Sequence, residues 1–552
     1  MATYCAKHRV VRAASAVALA LTTIGYGAGA PAEAAAQPPP AATSPADGTP
    51  SVVPSVGTFT PASGQLWTPS RVSADGGTEV VIDASSPGLA DEGKLLAQEL
   101  GLGYGGSAAP EAGDIRLALS PAGQGASPGG QGAPESYKIV VDENGVTVTG
   151  ADEAGVFYGT RTVKQAVRTT GSLAAGTIED APSKPQRGLN LDIARKYFTP
   201  GWIEDRLREM ADLKLNQLGL HVSDDQGLGI ETKQRKYRGM LPDKYLTQVQ
   251  LADIVKLATS LHISVVPEFD SPGHLGALLK LFPGFQLKDA YGSPVQGAID
   301  ISNEKAGALV DGLVEEFLPL FPGSAWHLGG DEYQALVRRN PEKAFPDLAA
   351  AAIEQYGAAA KIKDLATGWL NARAKTVTAA GKQPKAWNDG FYAGTLVQAD
   401  PAIEVEYWTG KEIGARPPEE YLDAGRKVVN LNDAYLYYVL GQPNDFTYPT
   451  GQAIYEQWTP SVLRGTAEVE NAAQDQDRIL GGRLAVWGDL AKAQTEQQVA
   501  AGIGMPLAAL AQKVWSGAQP SQAWSDFQAL VSRASPGSPS PSGPVSGAST
   551  AP

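Results

Sequence analysis

The chain has 552 residues, a net charge of −14 and a single cysteine. That length exceeds one ordinary core and predicts two or more domains. The acidic balance argues against nucleic acid or an anionic membrane as partner and suits a soluble protein acting on a neutral ligand.

The chain opens on a basic segment, Lys7, His8, Arg9 and Arg12, followed by an apolar run from Ala13 to about Ala28. The small residues around Ala32 to Ala36 offer a cleavage site. This is the pattern of a secretory signal within residues 1–36, so the mature protein is expected to be secreted and free of the membrane. No other stretch is apolar enough to span a bilayer. Cys5 lies inside the signal. The mature chain therefore carries no disulfide, thiol nucleophile or thiolate metal site. Residues 37–55, rich in Pro, Ala, Ser and Thr, read as a linker.

Residues 56–183 read as a smaller α+β domain. Strands are expected at 79–83, 115–119, 137–141 and 146–149, with Asp142-Glu143-Asn144-Gly145 as a hairpin turn. Residues 88–100 and 151–168 read as helices, and the Gly- and Gln-rich stretch Ala122 to Ala133 as a loop.

From residue 184 to 533 the pattern becomes strand–helix alternation. Eight short apolar runs stand at 188–193, 217–223, 263–270, 324–330, 385–389, 403–408, 427–432 and 482–488. Helix candidates lie between several of them, at 201–214, 248–261 and 305–318, and another follows the last at 494–513. Eight such alternations predict an α/β fold, a (β/α)8 TIM barrel. Residues 534–552 are low-complexity and read as a disordered tail.

In such barrels the active site lies at the C-terminal ends of the strands. Polar and aromatic residues crowd that end of every run: Asp192 and Arg195, then Asp224 and Asp225, then Glu268, Asp270 and His274. Asp331 and Glu332 follow run four, Trp387 to Asp389 run five, and Trp408 run six. Asn432, Asp433 and Tyr435 follow run seven, and Trp487 and Asp489 run eight. Asp331 and Glu332 are adjacent, and two neighbouring carboxylates repel when both ionise. That pushes one pKa up and makes a candidate general acid. The preceding Gly329 and Gly330 would let a substrate approach the backbone. Trp387, Trp408 and Trp487 suggest a sugar site, because pyranose C–H faces pack on aromatic rings. His221, His274 and His327 lie on or just after strands and could converge on a metal. No HxH or HExxH spacing is present, so no metal is expected.

Four blocks carry a resemblance: RGLNLDIARKYF (187–198), KLNQLGLHVSDDQG (214–227), VVPEFDSPGH (265–274) and AWHLGGDEY (325–333). With AWND (386–389), NLNDAYLYY (430–438) and GGRLAVWGD (481–489), their order resembles glycoside hydrolase family 20, the β-N-acetylhexosaminidases. The segment AGVFYGTRTVKQAV (154–167) is similar to part of that family's companion domain.

The resemblance implies retaining, substrate-assisted hydrolysis of an oligosaccharide or glycan end, without a cofactor. The nucleophile would be the substrate's own 2-acetamido oxygen rather than a second protein carboxylate. It implies Glu332 as general acid and then base, and Asp331 as acceptor of the acetamido N–H. An ionised Asp331 is expected to keep Glu332 protonated at rest. Tyr435 would hydrogen-bond the acetamido oxygen, with Tyr437 as near competitor. Arg195 would grip the 3- and 4-hydroxyls, and Asp224 with His274 would support Glu332. Trp387, Trp408 and Trp487 would wall the pocket, and Asp489 would reach the 4- and 6-hydroxyls.

Three departures stand out. Leu228-Gly229 follows Asp-Asp-Gln-Gly where the family often has Trp-Arg, and Asp489 stands where it commonly has Glu. The stretch 430–441 and the loop through Trp458 resemble lacto-N-biosidases, which release a disaccharide. A non-catalytic carbohydrate-binding protein and a metal-dependent hydrolase are the remaining readings. Nothing in the sequence sets an oligomeric state.

Overall fold

The computed structural model describes residues 48–70, 77–120, 132–517 and 519–534. The signal, the first part of the expected linker, most of the 122–133 loop and nearly all of the tail lie outside them. No helix among the described residues is long and apolar enough to cross a membrane.

The first domain holds a mixed seven-stranded sheet, among the described residues, where sequence pattern had suggested four strands. Its strands are β1 (Thr58–Pro61), β2 (Glu79–Ile82), β3 (Gly103–Gly106), β4 (Asp114–Leu119), β5 (Tyr137–Asp142), β6 (Gly145–Gly150) and β7 (Gly176–Asp180). They run in the order β1-β7-β5-β6-β4-β2-β3, with the expected β5–β6 hairpin antiparallel. The helices Ala90–Leu100 and Glu153–Thr170 pack on this sheet. Residues 48–55, expected as linker, are not free: Val52 and Val53 are buried in the core. The Val53 backbone N–H donates to Gln165 Oε1 at 2.8 Å, so the apolar pair outweighs the linker-like composition around it.

The second domain is the predicted barrel. Its strands are β8 (Gln186–Asp192), β9 (Gln217–Ser223) and β10 (Ser264–Phe269), then a small hairpin of β11 (Gln286–Lys288) and β12 (Pro294–Ile299) outside the barrel. The barrel continues with β13 (Ala325–His327), β14 (Gln383–Trp387), β15 (Glu404–Tyr407) and β16 (Val428–Asn430). A short strand β17 (Tyr437–Val439) precedes the last barrel strand, β18 (Ile479–Trp487). All ladders are parallel from β8 round to β18, and β18 pairs back onto β8 to close the cylinder. The seventh position is shared: β16 pairs with the first half of β18, and β17 with its second half.

The helices form where expected, at Pro200–Asp212, Gln248–Ser260, Glu304–Phe317 and Glu496–Ser516. Thr247 with Gln250, and Thr495 with Gln498, close reciprocal capping boxes that set two of these helix starts.

Charged side chains bind the first domain to the N-terminal end of the barrel, away from the strand ends that carry the site. Lys214 is fully buried, donates to the Tyr137 hydroxyl at 2.7 Å and pairs with Asp180 at 3.2 Å. Its ammonium also lies over the Trp515 ring. Arg187, at the foot of β8, pairs with Glu135 at 2.7 Å. Removing one member of such a buried pair strands the other charge, at a cost of about 3–5 kcal/mol. Lys214→Ala should therefore lower the melting temperature sharply, as scanning calorimetry would record. An unchanged Tm would show that this contact does not hold the domains.

Candidate active site

Sixteen residues line a cavity of about 410 Å³ at the C-terminal ends of the strands. They include Arg195, His221, His274, Asp331, Glu332, Trp408, Tyr437, Trp487 and Asp489. The volume lies within the span of small-molecule pockets, about 300–1,000 Å³.

The centre of the site is Asp224, just beyond β9. Its Oδ2 lies 2.6 Å from Arg195 Nη2, 2.8 Å from His221 Nε2 and 3.3 Å from His274 Nδ1. Burial would raise its pKa, but His274, His221 and Arg195 together hold it far below the usual carboxylate range. Arg195 is fixed on its other side by Asp192 at 3.0 Å, and its guanidinium lies over the Trp487 ring.

His274 is the junction to the adjacent carboxylates. Its Nε2 stands 3.4 Å from Glu332, 3.6 Å from Asp331 and 4.0 Å from Asp270. Burial alone would discharge this imidazole, yet Asp331, Asp270 and Asp224 raise its pKa well above the ordinary value. The imidazolium corrects one expectation. The contact from His274 draws Glu332 below its ordinary pKa, against burial, while burial draws Asp331 upward. Of the two neighbours it is Asp331, not Glu332, that is raised in the free protein. The reason is a cation from the segment after β10, which the adjacency of two acids in the chain does not reveal.

Asp270 was noted at its strand end but not assigned to the site. It sits under Gly329 and Gly330 and accepts the Gly330 N–H at 2.9 Å. A Cβ at Gly329, whose φ is +72°, would lie 1.7 Å from Asp270 Oδ1. The glycine is therefore required by a protein carboxylate, not by substrate approach. Burial and Asp331 push Asp270 well upward, and burial raises Asp331 as well. Asp270, His274 and Asp331 each offer a ligand atom within 4.8 Å of the others. Their raised carboxyls fit a shared proton better than a divalent cation, which needs ionised donors. His221 and His327 do not join this group. Both turn Nδ1 to the buried Glu268, at 3.1 and 3.5 Å.

Two aromatic assignments are corrected. Tyr435 does not reach the cavity; its hydroxyl donates to Gln457 Oε1 at 3.3 Å. Tyr437, its competitor two residues on, lines the cavity from β17, stacked between Trp408 (5.5 Å, 7°) and Phe446 (6.1 Å, 21°). Trp387 is 1% exposed and lies behind the wall, with its indole N–H on Glu268 at 2.5 Å. Trp408 and Trp487 do line the cavity, as does Asp489, which burial raises in pKa against the pull of Arg195.

Sequence pattern also missed Thr409, Lys411, Glu412, Asn444 and Phe446 on the rim. Asp433, noted at its strand end, lines the same side and pairs with Lys411 at 2.7 Å.

Comparison with known proteins bears on this geometry. Residues 185–518 match the catalytic domain of glycosyl hydrolase family 20, and residues 49–181 match domain 2 of the same family. The chain belongs to glycosyl hydrolase family 20. That family is one of glycoside hydrolases. It is 30% identical over 501 residues to a lacto-N-biosidase of Bifidobacterium bifidum, an alignment spanning 89% of this chain but only 42% of that protein. It is 26% identical to a β-N-acetylhexosaminidase of Cellulomonas fimi, across 83% of this chain and 89% of that one. The fold matches an exo-β-N-acetylglucosaminidase of Vibrio harveyi, solved with N-acetylglucosamine, at a TM-score of 0.68 and 18% identity. That match covers 88% of this chain and 76% of the other.

These protonation states predict a pH dependence of stability. His221 and His274 are raised on folding, so their stabilisation is complete below about pH 6.5 and is lost as pH rises through their folded values. Asp389, beyond β14, is pushed up to about 7 by burial and Asp331. Its contribution has the same sign and fades between about pH 4 and 7. Asp224 and Glu268 are lowered, so theirs is present above about pH 4 and is lost on further acidification. The Tm should peak at mildly acidic pH and decline toward pH 9. A melting temperature level from pH 5 to 9 would contradict these assignments.

Proposed function

We propose that this hydrolase removes terminal β-linked N-acetylhexosamine (GlcNAc or GalNAc) with retention, through an oxazolinium intermediate, and acts as a secreted enzyme. The observation that carries the reading is one cavity lined by Asp331, Glu332, Arg195, Asp489 and the rings of Trp408 and Trp487. Secretion rests on the basic and apolar pattern of residues 7–36.

The chemistry runs as follows. The acetamido carbonyl oxygen of the bound sugar attacks its own anomeric carbon while the bond to the leaving oxygen breaks. Glu332 gives its proton to that oxygen. Asp331 accepts the acetamido N–H and offsets the positive charge that develops on the ring. Water then attacks the anomeric carbon from the vacated side and yields a proton to Glu332, which restores the acetamide and the configuration. Tyr437, which lines the cavity where Tyr435 does not, is assigned the hydroxyl that orients the acetamido oxygen.

Glu332 needs a proton that the free protein shares with His274. The Glu332 side chain is 40% exposed, so an incoming sugar covers it. Displacing water there disfavours an ion pair of His274 and Glu332 and moves the proton onto Glu332. Arg195, held by Asp192, Asp224 and Trp487, takes the 3- and 4-hydroxyls.

A second reading is a lacto-N-biosidase. The similarity to the Bifidobacterium bifidum protein favours it, as does the polar wing of the cavity at Lys411, Asp433 and Asn444. Against it stands the reading of Arg195, held by Asp192 and Asp224, as the group that takes a free 3-hydroxyl.

The test is release of 4-nitrophenol from the β-GlcNAc and β-lacto-N-bioside derivatives by protein lacking residues 1–36. Turnover of the monosaccharide derivative is expected. Release from the disaccharide derivative alone would replace this reading with the second. Glu332→Gln should lower kcat on N,N′-diacetylchitobiose by about 10²–10⁴-fold while product binding persists. Undiminished turnover would remove Glu332 from the acid role.

A further inference from the structure

The dipeptide Asn388-Asp389 follows β14, on the strand between the one that carries Glu332 and the one that carries Trp408. Asp389 uses one oxygen for each neighbour. Its Oδ2 accepts the backbone N–H of Glu332 at 2.9 Å, and its Oδ1 accepts the indole N–H of Trp408 at 2.9 Å. Asn388, fully buried, fixes the same neighbour by its backbone. Its Oδ1 accepts the Trp408 N–H at 2.9 Å, and its Nδ2 donates to the Thr409 carbonyl at 2.8 Å. The Asn388 carbonyl is itself held by the Tyr421 hydroxyl at 2.7 Å.

Glu332 has particular need of such a hold. Its φ is +48°, a left-handed conformation that a residue with a Cβ rarely adopts unless its surroundings impose it. The Glu332 N–H to Asp389 is a hydrogen bond that fixes the peptide entering this conformation. Trp408, at the other end of the bridge, is a wall of the cavity and stacks on Tyr437. Asp389 is not among the cavity-lining residues, so it acts through its partners and not on a substrate.

We infer that Asp389 is a positioning residue that ties the backbone of the proton donor Glu332 to the sugar-facing indole of Trp408. This rests on the reading of Glu332 as general acid. Seating a sugar ring against Trp408 then braces the acid through one rigid carboxylate. The bridge requires two acceptor oxygens. An amide of the same shape offers one, and turns an N–H against the other donor. Asp389→Asn therefore breaks one of the two links whichever way it is oriented.

The test uses leaving groups that differ in their need for acid. Cleavage of N,N′-diacetylchitobiose expels a poor leaving group and depends on proton donation, whereas 2,4-dinitrophenyl N-acetyl-β-glucosaminide leaves with little help. In Asp389→Asn, kcat on chitobiose should fall about 100-fold, and on the dinitrophenyl substrate less than about 10-fold. KM should rise for both, through the loosened Trp408. Equal losses of kcat on the two substrates would overturn the inference, since a general weakening of the fold does not sense the leaving group. Should the Asn variant fail to fold by circular dichroism, Asp389→Ser carries the same comparison with the same two outcomes. A wild-type protein inert on both substrates would instead overturn the functional reading on which the inference stands.

Discussion

The site is organised around the charge on Asp224. One buried oxygen of this carboxylate meets three nitrogens, from Arg195 beyond β8, His221 on β9 and His274 beyond β10. Each donor answers to a second acid: Arg195 to Asp192, His221 to Glu268, and His274 to the group that contains Asp331 and Glu332. In water these contacts would be weak. In a buried site each strengthens the next, and an unpaired member would be costly. The arrangement therefore sets positions and protonation states together. Arg195 is held without freedom to swing, and in the free protein His274 is charged where burial alone would discharge it.

Below that hub the barrel interior is ionic to an unusual depth. Glu268 accepts from the Trp387 indole and faces both His221 and His327. His327 faces Glu406, which pairs in turn with Lys385 and Arg483. Barrel interiors are more often filled by branched aliphatic side chains. Here the layers under the site are buried acids and bases, and burial among nearby cations drives His327 to about 3, which leaves it neutral between Glu268 and Glu406. Trp387 belongs to this supporting layer, which explains how a tryptophan at a strand end can serve the site without touching its ligand.

Much of the architecture was legible because parallel barrel strands are buried on both faces and read as short apolar runs. The companion sheet was less so. β1, β3 and β7 have the sequences TFTP, GYGG and GTIED, too polar or too rich in glycine to stand out as strands. Residues at strand ends were legible as a set, which brought Arg195, Asp224, His274, Asp331, Glu332, Trp408, Trp487 and Asp489 into one list. Register was not. Tyr435 and Tyr437 are two residues apart, and a single continued strand would place both on one face. β17 begins only at Tyr437, so the alternation does not extend back to Tyr435. Phe446 and Asn444 come from a loop without periodicity, and nothing in their neighbourhood marked them. The protonation of Glu332 was misread because the decisive charge, on His274, comes from the loop after a different strand.

The stack of Trp408, Tyr437 and Phe446 has an evolutionary consequence. Asp331 and Glu332 sit after β13, on a backbone locked by Asp270 and Asp389. The shape of the far wall is set by three rings drawn from segments after β15, within β17 and in the loop beyond it. Insertions or exchanges in that loop can move Phe446 and re-space the wall while leaving the locked segment untouched. The part of the wall that Phe446 forms is thus stored apart from the Asp331-Glu332 segment, whereas Trp408 is tied to that segment through Asp389. A lineage can drift in the sugars it accepts, through loop edits alone, without passing through an inactive ancestor.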